Sequence, residues 1–417
     1  MKICIIGQGY IGLPTAALFA SNHCDVVGVD RKEDVVDKLN HGQIHIEEPH
    51  LGEMIRNAVD DGFYHASTKP EEADVFIITV QTPNCDDEYL SCDLSYVLGA
   101  CKDIIPYIKK GNIVIVESTI APRSIEDYIT PLFIEEGFSI GEDLYLAHCP
   151  ERVLPGKIIE ELVNNDRIVG GATPECSDKV ADVYKIFVKG NITKTDSKVA
   201  ELSKCMENTF RDVNIALANE LAKICNELDI NCLDVISFAN RHPRVNIHQP
   251  GPGVGGHCLA IDPYFIYAKV PGIAKIIKLA RDTNNSMPGY VVEQSKKLLK
   301  NITNPVVTIL GVTYKGNIDD ERESPAQDII RLFKEEKIEL RIHDPHVKNP
   351  DYIPYSDAID GSDLLVILAD HNEFKTLNYT QIEEAMRTPR IFDTKNILST
   401  NNNKVEIINY GNIYHYI

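Results

Sequence analysis

At 417 residues the chain exceeds the roughly 250–300 at which a single hydrophobic core stops growing, so two or three domains are expected. A composition 43% hydrophobic and 25% charged belongs to a folded globular protein and excludes a disordered or fibrous one. The formal net charge of -20 argues against nucleic acid or an anionic membrane surface as partner, while leaving room for a local cationic pocket.

The chain opens with an apolar strand, Lys2 to Ile6, which carries the expectation that no secretory leader precedes the fold. No apolar run approaches the roughly 20 residues of a membrane span. The 11 cysteines are odd in number and scattered, without a Cys-x-x-Cys pair or a zinc-type Cys/His spacing. A reduced, cytoplasmic protein with no metal fits that usage best.

After the first strand, Gly7-Gln8-Gly9-Tyr10-Ile11-Gly12 reads G-x-G-x-x-G, and Leu13 to Ser21 reads as a helix that tolerates Pro14 in its first turn. Asp25 to Val29 forms the next strand and ends at Asp30, eighteen residues beyond Gly12. Gly7 permits a tight turn, Gly9 lets the backbone approach a pyrophosphate, and Gly12 allows close helix packing. Asp30 can bond a ribose 2′-hydroxyl and would repel a 2′-phosphate, so NAD is expected over NADP despite Arg31 next to it. Strands at Asp74 to Val80 and Ile113 to Glu117 end in Gln81-Thr82-Pro83 and Glu117-Ser118-Thr119. Ligands sit at the carboxyl ends of parallel strands, which places Thr82 and Thr119 toward the cofactor; either could equally cap a helix. A strand from Leu144 to Ala147 brings Glu151 and Arg152 to the same edge.

From Lys198 to about Asp229, apolar residues from Val199 to Leu228 recur at helical spacing and predict one long helix. Lys204, Asn208 and Arg211 share one stripe of it. A solvated face is the usual reason for such a stripe. Here, however, Arg241-His242-Pro243-Arg244 concentrates cations nearby in an acidic chain, which suggests a pocket for an anionic, phosphorylated ligand. Four glycines between Gly251 and Gly256 then lead into Cys258, with Asp262 four residues beyond. If a helix starts at Cys258, its dipole favours the thiolate and Asp262 shares its face. After Asn301 the strand–helix rhythm restarts, with strands at Pro305 to Leu310, Leu340 to His343, Asp363 to Leu368 and Arg390 to Phe392. Ser324 and Pro325 form an N-cap/N1 pair. The expected fold is α/β, two Rossmann-like doubly wound parallel sheets joined by a long central helix, divided at residues 1–195, 196–300 and 301–417.

Six motifs carry a resemblance to a known family: GQGYIG at Gly7, EST at Glu117, CPERVLPG at Cys149, Lys204 with Asn208, GGHCLAIDP around Cys258, and GVTYKGNIDDERESP at Gly311. Together they resemble the UDP-glucose/GDP-mannose dehydrogenase family from Gly7 to about Asp393. That resemblance implies oxidation of a UDP-sugar C6 alcohol to a carboxylate by two NAD and one water. It implies that Cys258 is the nucleophile holding the aldehyde-level intermediate and that Lys204 stabilises developing oxyanions. Asp262 would orient the lysine or a water, Glu151 would act as base with Thr119 helping to handle that water, and Asn208 would add a hydrogen bond near the reacting carbon.

The resemblance also places Arg152, Val153, Arg211, His242, Arg244, Gly255, Tyr314 and Lys315 at the sugar nucleotide, beside Lys204 and Asn208. It places Gly7, Gly9, Tyr10, Ile11, Gly12, Asp30, Thr82, Thr119 and Arg322 at NAD. The RHPRVN segment at Arg241, taken with the glycine loop, points within the family to UDP-N-acetyl-D-mannosamine; UDP-N-acetylglucosamine and UDP-glucose are the alternatives. A non-catalytic sugar-nucleotide sensor is the reading outside enzymes, and a sensor has no need of Cys258. A homodimer or dimer of dimers through the long helix is what the family leads one to expect.

Overall fold

The computed structural model describes residues 1–154, 156–401 and 404–417, so Pro155 of the CPERVLPG motif lies outside the described residues. Two compact units emerge. The first comprises Met1–Glu207 with Tyr264–Pro271, and the second Asn208–Pro263 with Gly272–Ile417.

The first unit holds an eight-stranded sheet in the order β3-β2-β1-β4-β5-β6-β7-β8. These strands are β1 Lys2–Ile6, β2 Asp25–Val29, β3 Tyr64–Ser67, β4 Val75–Ile78, β5 Asn112–Val116, β6 Leu144–His148, β7 Arg167–Gly171 and β8 Ile192–Asp196. β4 is buried at every position, as an apolar run covered on both faces requires. The pairing is parallel except at β6/β7, where Ala147 faces Gly171 and His148 faces Gly170 in antiparallel register. The strand order reverses between β1 and β4, which opens a crevice at their carboxyl ends.

The second unit carries a five-stranded, all-parallel sheet in the order β10-β9-β11-β12-β13. Its strands are β9 Val306–Leu310, β10 Glu339–His343, β11 Leu364–Ile367, β12 Arg390–Asp393 and β13 Glu406–Ile408. Its order also reverses, at β9/β11. The helix Pro325–Glu335 opens as the sequence predicts, with the Ser324 hydroxyl accepting from the Ala326 amide at 3.3 Å.

One 31-residue helix, Ser197–Glu227, supplies residues to both units and is roughly 46 Å long at the usual rise. Its apolar row faces outward: Val199, Leu202, Met206, Phe210, Leu217, Ile224 and, just past its end, Leu228 are 41–61% exposed. Its buried face is polar and small instead, with Glu201, Asn208, Asp212, Asn219 and Asn226 set among alanines. No described helix is long and apolar enough to cross a membrane.

Candidate active site

In the first unit the glycine turn follows β1 at the reversal point. Gly7 has φ +98°, and a Cβ there would stand 2.9 Å from the Thr79 carbonyl. A Cβ on Gly12 would lie 1.9 Å from the Gly7 carbonyl, so neither position admits a side chain. Gly9, by contrast, has nothing within 4 Å of where a side chain would project. Tyr10 is exposed, Ile11 half-buried, and the helix Gly12–Ser21 starts directly behind them. This strand–turn–helix, open at Gly9 and closed at Gly7 and Gly12, fits a dinucleotide pyrophosphate.

Asp30 ends β2 with its carboxylate held by two backbone amides, Oδ1 accepting from Lys32 at 3.0 Å and Oδ2 from Gln8 at 3.3 Å. Arg31, the cation that would welcome a 2′-phosphate, pairs with Asp103 at 3.2 Å. Thr82 donates to the Thr119 carbonyl at 2.6 Å, so the loops after β4 and β5 are tied together.

Farther along the same edge, Glu151 sits in a dry cluster. Arg167 on β7 pairs with both Glu151 and Glu117, the latter at 3.2 Å, and these three side chains are at most 9% exposed. Burial pushes the Glu151 carboxyl up, against the pull of Arg167 and Lys204. Burial and the charge of Glu151 push Glu117 up to about 7. His148 is fully buried, donates through Nδ1 to the Val116 carbonyl at 2.8 Å, and is pushed down to about 3 by burial, with Lys204 adding to the effect. Lys204 therefore lies close enough to act electrostatically on both Glu151 and His148. Arg152 is committed elsewhere: it donates to Glu207 at 2.8 Å and to the Asp166 carbonyl at 2.6 Å. Val153 packs on the hydrophobic core.

In the second unit the glycine loop lies against the segment that follows β9. Gly256 has φ +88°, its amide donates to the Glu323 carbonyl at 3.1 Å, and a Cβ there would stand 2.9 Å from the Tyr314 ring. A Cβ on Gly255 would meet the Glu323 carbonyl at 2.2 Å. Gly256 thus packs on the Tyr314 ring two residues before Cys258, and Lys315 next to Tyr314 is exposed. His257 faces Asp320 at 3.2 Å, and Arg322 donates to the same carboxylate at 2.8 Å, which holds Asp320 down at about 2. Arg322 belongs to this unit, as do Arg211, His242 and Arg244, which are exposed. The Asn208 amide donates to Asp262 at 2.6 Å.

The helix expected at Cys258 starts four residues later, as Asp262–Lys269. Pro263 explains the shift, because proline lacks an N–H and fits only a first helical turn. Cys258 occupies the preceding turn, exposed, with its carbonyl accepting from Ile261 at 3.0 Å and Asp262 at 2.9 Å. A helix dipole directly at the thiol is therefore not available.

Several supporting residues escape the sequence reading. Gly251, which opens the loop, donates to Asn219 at 2.8 Å and accepts from the Tyr410 hydroxyl at 3.1 Å. Asn219 bonds Asn284 at 2.9 Å, Asn284 reaches Asp212 at 2.8 Å, and Arg281 pairs with Asp212 at 2.6 Å. Asp212, Asn219 and Asn226 recur every seven residues on the long helix, a polar line that marks this face in the sequence. A cluster of His346, His371 and Glu373 has metal-like spacing. His371 Nδ1 accepts from the Asn317 amide at 2.9 Å, which fixes the proton on Nε2, facing Asp344 at 3.1 Å. That ring is committed to holding the loop after β9, not to an ion.

Three family models match the chain in register: the NAD binding domain of the UDP-glucose/GDP-mannose dehydrogenase family over residues 1–188, its central domain over 198–286 and its UDP binding domain over 308–400. The chain belongs to the UDP-glucose/GDP-mannose dehydrogenase family. NAD is accordingly its cofactor, as Asp30 and the glycine turn anticipate. Among its relatives, a UDP-N-acetyl-D-mannosamine dehydrogenase of Methanococcus vannielii is 48% identical, over 96% of this chain and 94% of that one. An NDP-N-acetyl-D-galactosaminuronic acid dehydrogenase of Ralstonia nicotianae is 42% identical, over 95% and 96%. The solved UDP-N-acetyl-mannosamine dehydrogenase Cap5O from S. aureus is 54% identical and superposes with a TM-score of 0.95 over 100% of both chains. Two α/β sheets and a long helix are thus shared with a family member of known structure.

Proposed function

We propose that the chain oxidises the C6 alcohol of UDP-N-acetyl-D-mannosamine to the carboxylate, through a covalent intermediate on Cys258. The observation that carries this reading is the likeness, at 54% identity over the whole of both chains, to a solved enzyme named for that sugar. NAD, held at the glycine turn and Asp30, would supply the hydride acceptor for each of the two oxidations. Cys258 Sγ adds to the aldehyde carbon, and loss of the second hydride from that adduct leaves a thioester. Water adds to the thioester carbon, the C–S bond breaks, and the thiolate departs as the carboxylate forms. Glu151 takes the proton of that water, with Thr119 beside it, and Lys204 balances the oxyanion that develops at each addition. Asp262, held by Asn208, orients Lys204 or the water.

In this reading Arg211, His242, Arg244, Gly255, Tyr314 and Lys315 hold the sugar nucleotide, with Arg152 and Val153 shaping the wall at Glu151. Tyr10, Ile11, Thr82, Thr119 and Arg322 border NAD. Residues 1–195, 196–300 and 301–417 would serve as the NAD-binding, helical catalytic-loop and UDP-sugar-binding parts, a reading supported by family models over 1–188, 198–286 and 308–400. A second copy of the chain is the partner, since the outward apolar row of Ser197–Glu227 gains most from burial against its own kind. The 11 cysteines, odd in number and scattered along the sequence, support a reducing, cytoplasmic setting, where the acid product would feed glycan or surface-polysaccharide assembly.

The relative named for an N-acetylgalactosaminuronic acid keeps a second sugar in view. An N-acetyl group brings an amide whose polar atoms need partners, and a site built for them rejects a sugar lacking them. A panel of UDP-N-acetylmannosamine, UDP-N-acetylglucosamine, UDP-N-acetylgalactosamine and UDP-glucose tests this, with NADH counted per sugar. Two NADH per sugar and the highest kcat/KM for the mannosamine epimer are expected. Equal rates on the epimers would remove the sugar assignment, and no NADH from any would leave a sensor.

A further inference from the structure

Behind Glu151 stand buried ionisable groups to which the mechanism above gives no task. Arg167 opens β7, Glu117 follows β5, Cys149 follows β6, and Tyr184 ends the helix Pro174–Tyr184. The guanidinium spreads over all of them. Nη2 meets Glu151, Nη1 lies 3.2 Å from Glu117 Oε1 and 3.5 Å from Cys149 Sγ, and its carbon sits 4.1 Å from the centroid of the Tyr184 ring. The Tyr184 hydroxyl donates to that same Glu117 oxygen at 2.5 Å. Two carboxylates therefore divide one cation in a region nearly without solvent, leaving an excess negative charge when both are ionised.

An arginine given wholly to Glu151 would aim it well. It would also hold the carboxyl in its charged form so firmly that little proton affinity remained for general-base work. We propose that Arg167 is the positioning residue of Glu151, and that Glu117 divides its guanidinium so that Glu151 is aimed without being made a weak base. The inference rests on the reading of Glu151 as base.

The groups facing Glu151 all enter the balance. Arg167 from β7 and Lys204 from the long helix lower its proton affinity, as does the Arg152 amide, 3.4 Å from Oε2. Burial raises it. Glu117 adds its charge from β5, and with that oxygen engaged by Arg167 and Tyr184 it shares the proton load of the pair. Cys149 and His148 complete the surroundings, and burial pushes the thiol up to about 12 and the imidazole down to about 3, so both are neutral at working pH.

The pH dependence of kcat, with both substrates saturating, tests the assignment. Replacing Glu117 by Gln hands Arg167 to Glu151, so the acid limb is expected to move down by roughly one pH unit and the plateau to fall several-fold, with KM for NAD unchanged. Tyr184→Phe removes the donor that helps keep Glu117 ionised, and is expected to move the limb the same way by less. Arg167→Lys keeps the charge and loses the fork, giving about a tenfold loss, whereas Arg167→Gln moves the limb up and costs about a hundredfold or more. A cluster that merely ties β5, β6 and β7 together would lower the melting temperature of these variants and leave the limb in place. A limb unmoved in both Glu117→Gln and Tyr184→Phe, with NAD still bound, overturns the proposal. Glu151→Gln tests the base separately: a limb that survives it removes Glu151 as base, while a limb that vanishes there and ignores Glu117→Gln defeats only the role of the shared guanidinium.

Discussion

The Asn208 amide nitrogen stands 2.6 Å from Asp262 Oδ2, and both side chains are buried. A buried amide donating to a carboxylate is a charge-assisted bond, worth about 1.5–3 kcal/mol. It joins the long helix to the first residue of the helix Asp262–Lys269, one turn beyond Cys258.

Removing that donor should show in rate before it shows in fold. Asn208→Ala is expected to cost about 1–3 kcal/mol of stability and roughly tenfold or more in kcat, with NAD affinity retained. Asn208→Asp sets two acids together and is expected to be the worse of the two. Melting curves and steady-state kinetics on both variants decide it, and wild-type kcat in both would remove the pair from catalysis.

The nucleophile gives a qualitative outcome. Cys258→Ala is expected to bind NAD and UDP-sugar almost normally yet release no carboxylate, because no thioester can form. Cys258→Ser can stall as a slowly cleaved ester, visible as an added sugar mass on the intact protein. Carboxylate formed at the wild-type rate by Cys258→Ala would end the covalent mechanism.

Cofactor choice turns on Asp30. Its carboxylate, oriented by the Gln8 and Lys32 amides, would repel a 2′-phosphate, and Asp103 draws away the neighbouring Arg31. Asp30→Ser is expected to shrink the NAD/NADP ratio of kcat/KM by about tenfold or more. Adding Asp103→Ala frees Arg31 and should shrink it further. Ratios unchanged in both variants would place the ribose elsewhere.

Acid should loosen the fold through His148. Its folded value, about 3, lies below the ordinary histidine range, so the unfolded chain binds the proton more readily. The stability it contributes is complete above about pH 6.5 and drains away as pH falls toward 3, by up to a few kcal/mol. His148→Asn can keep the hydrogen bond to the Val116 carbonyl without a titrating ring. Denaturant melts from pH 7 to pH 4 should therefore slope less steeply in the variant, and identical slopes would contradict the assignment.

What the sequence discloses follows the range of the forces involved. The glycine turn at Gly7–Gly12 is legible because its backbone demands are local, and the crevice at β1/β4 follows from it. β3, β7, β8 and β13 carry no clear sequence signal: β3 is a four-residue YHAS, β7 a short RIVGG, β8 a polar ITKTD at a sheet edge, and β13 has three residues. No local pattern announces an antiparallel β6/β7 junction. Arg167 and Glu117 are 50 residues apart, and no local pattern brings them together. The start of the helix at Asp262 is legible in Pro263, because a proline fits only the first turn and so sets the helix start beyond the thiol.

A helix that hides its amides and displays phenylalanine and leucine has exchanged the usual roles of its two faces. If a second copy covers that row, the folded state becomes a bimolecular quantity. Each tenfold dilution then weakens it by about 1.4 kcal/mol, and the melting temperature drifts with protein concentration. Under that condition, dilution alone would uncover the row again and draw down the stability of the fold with it.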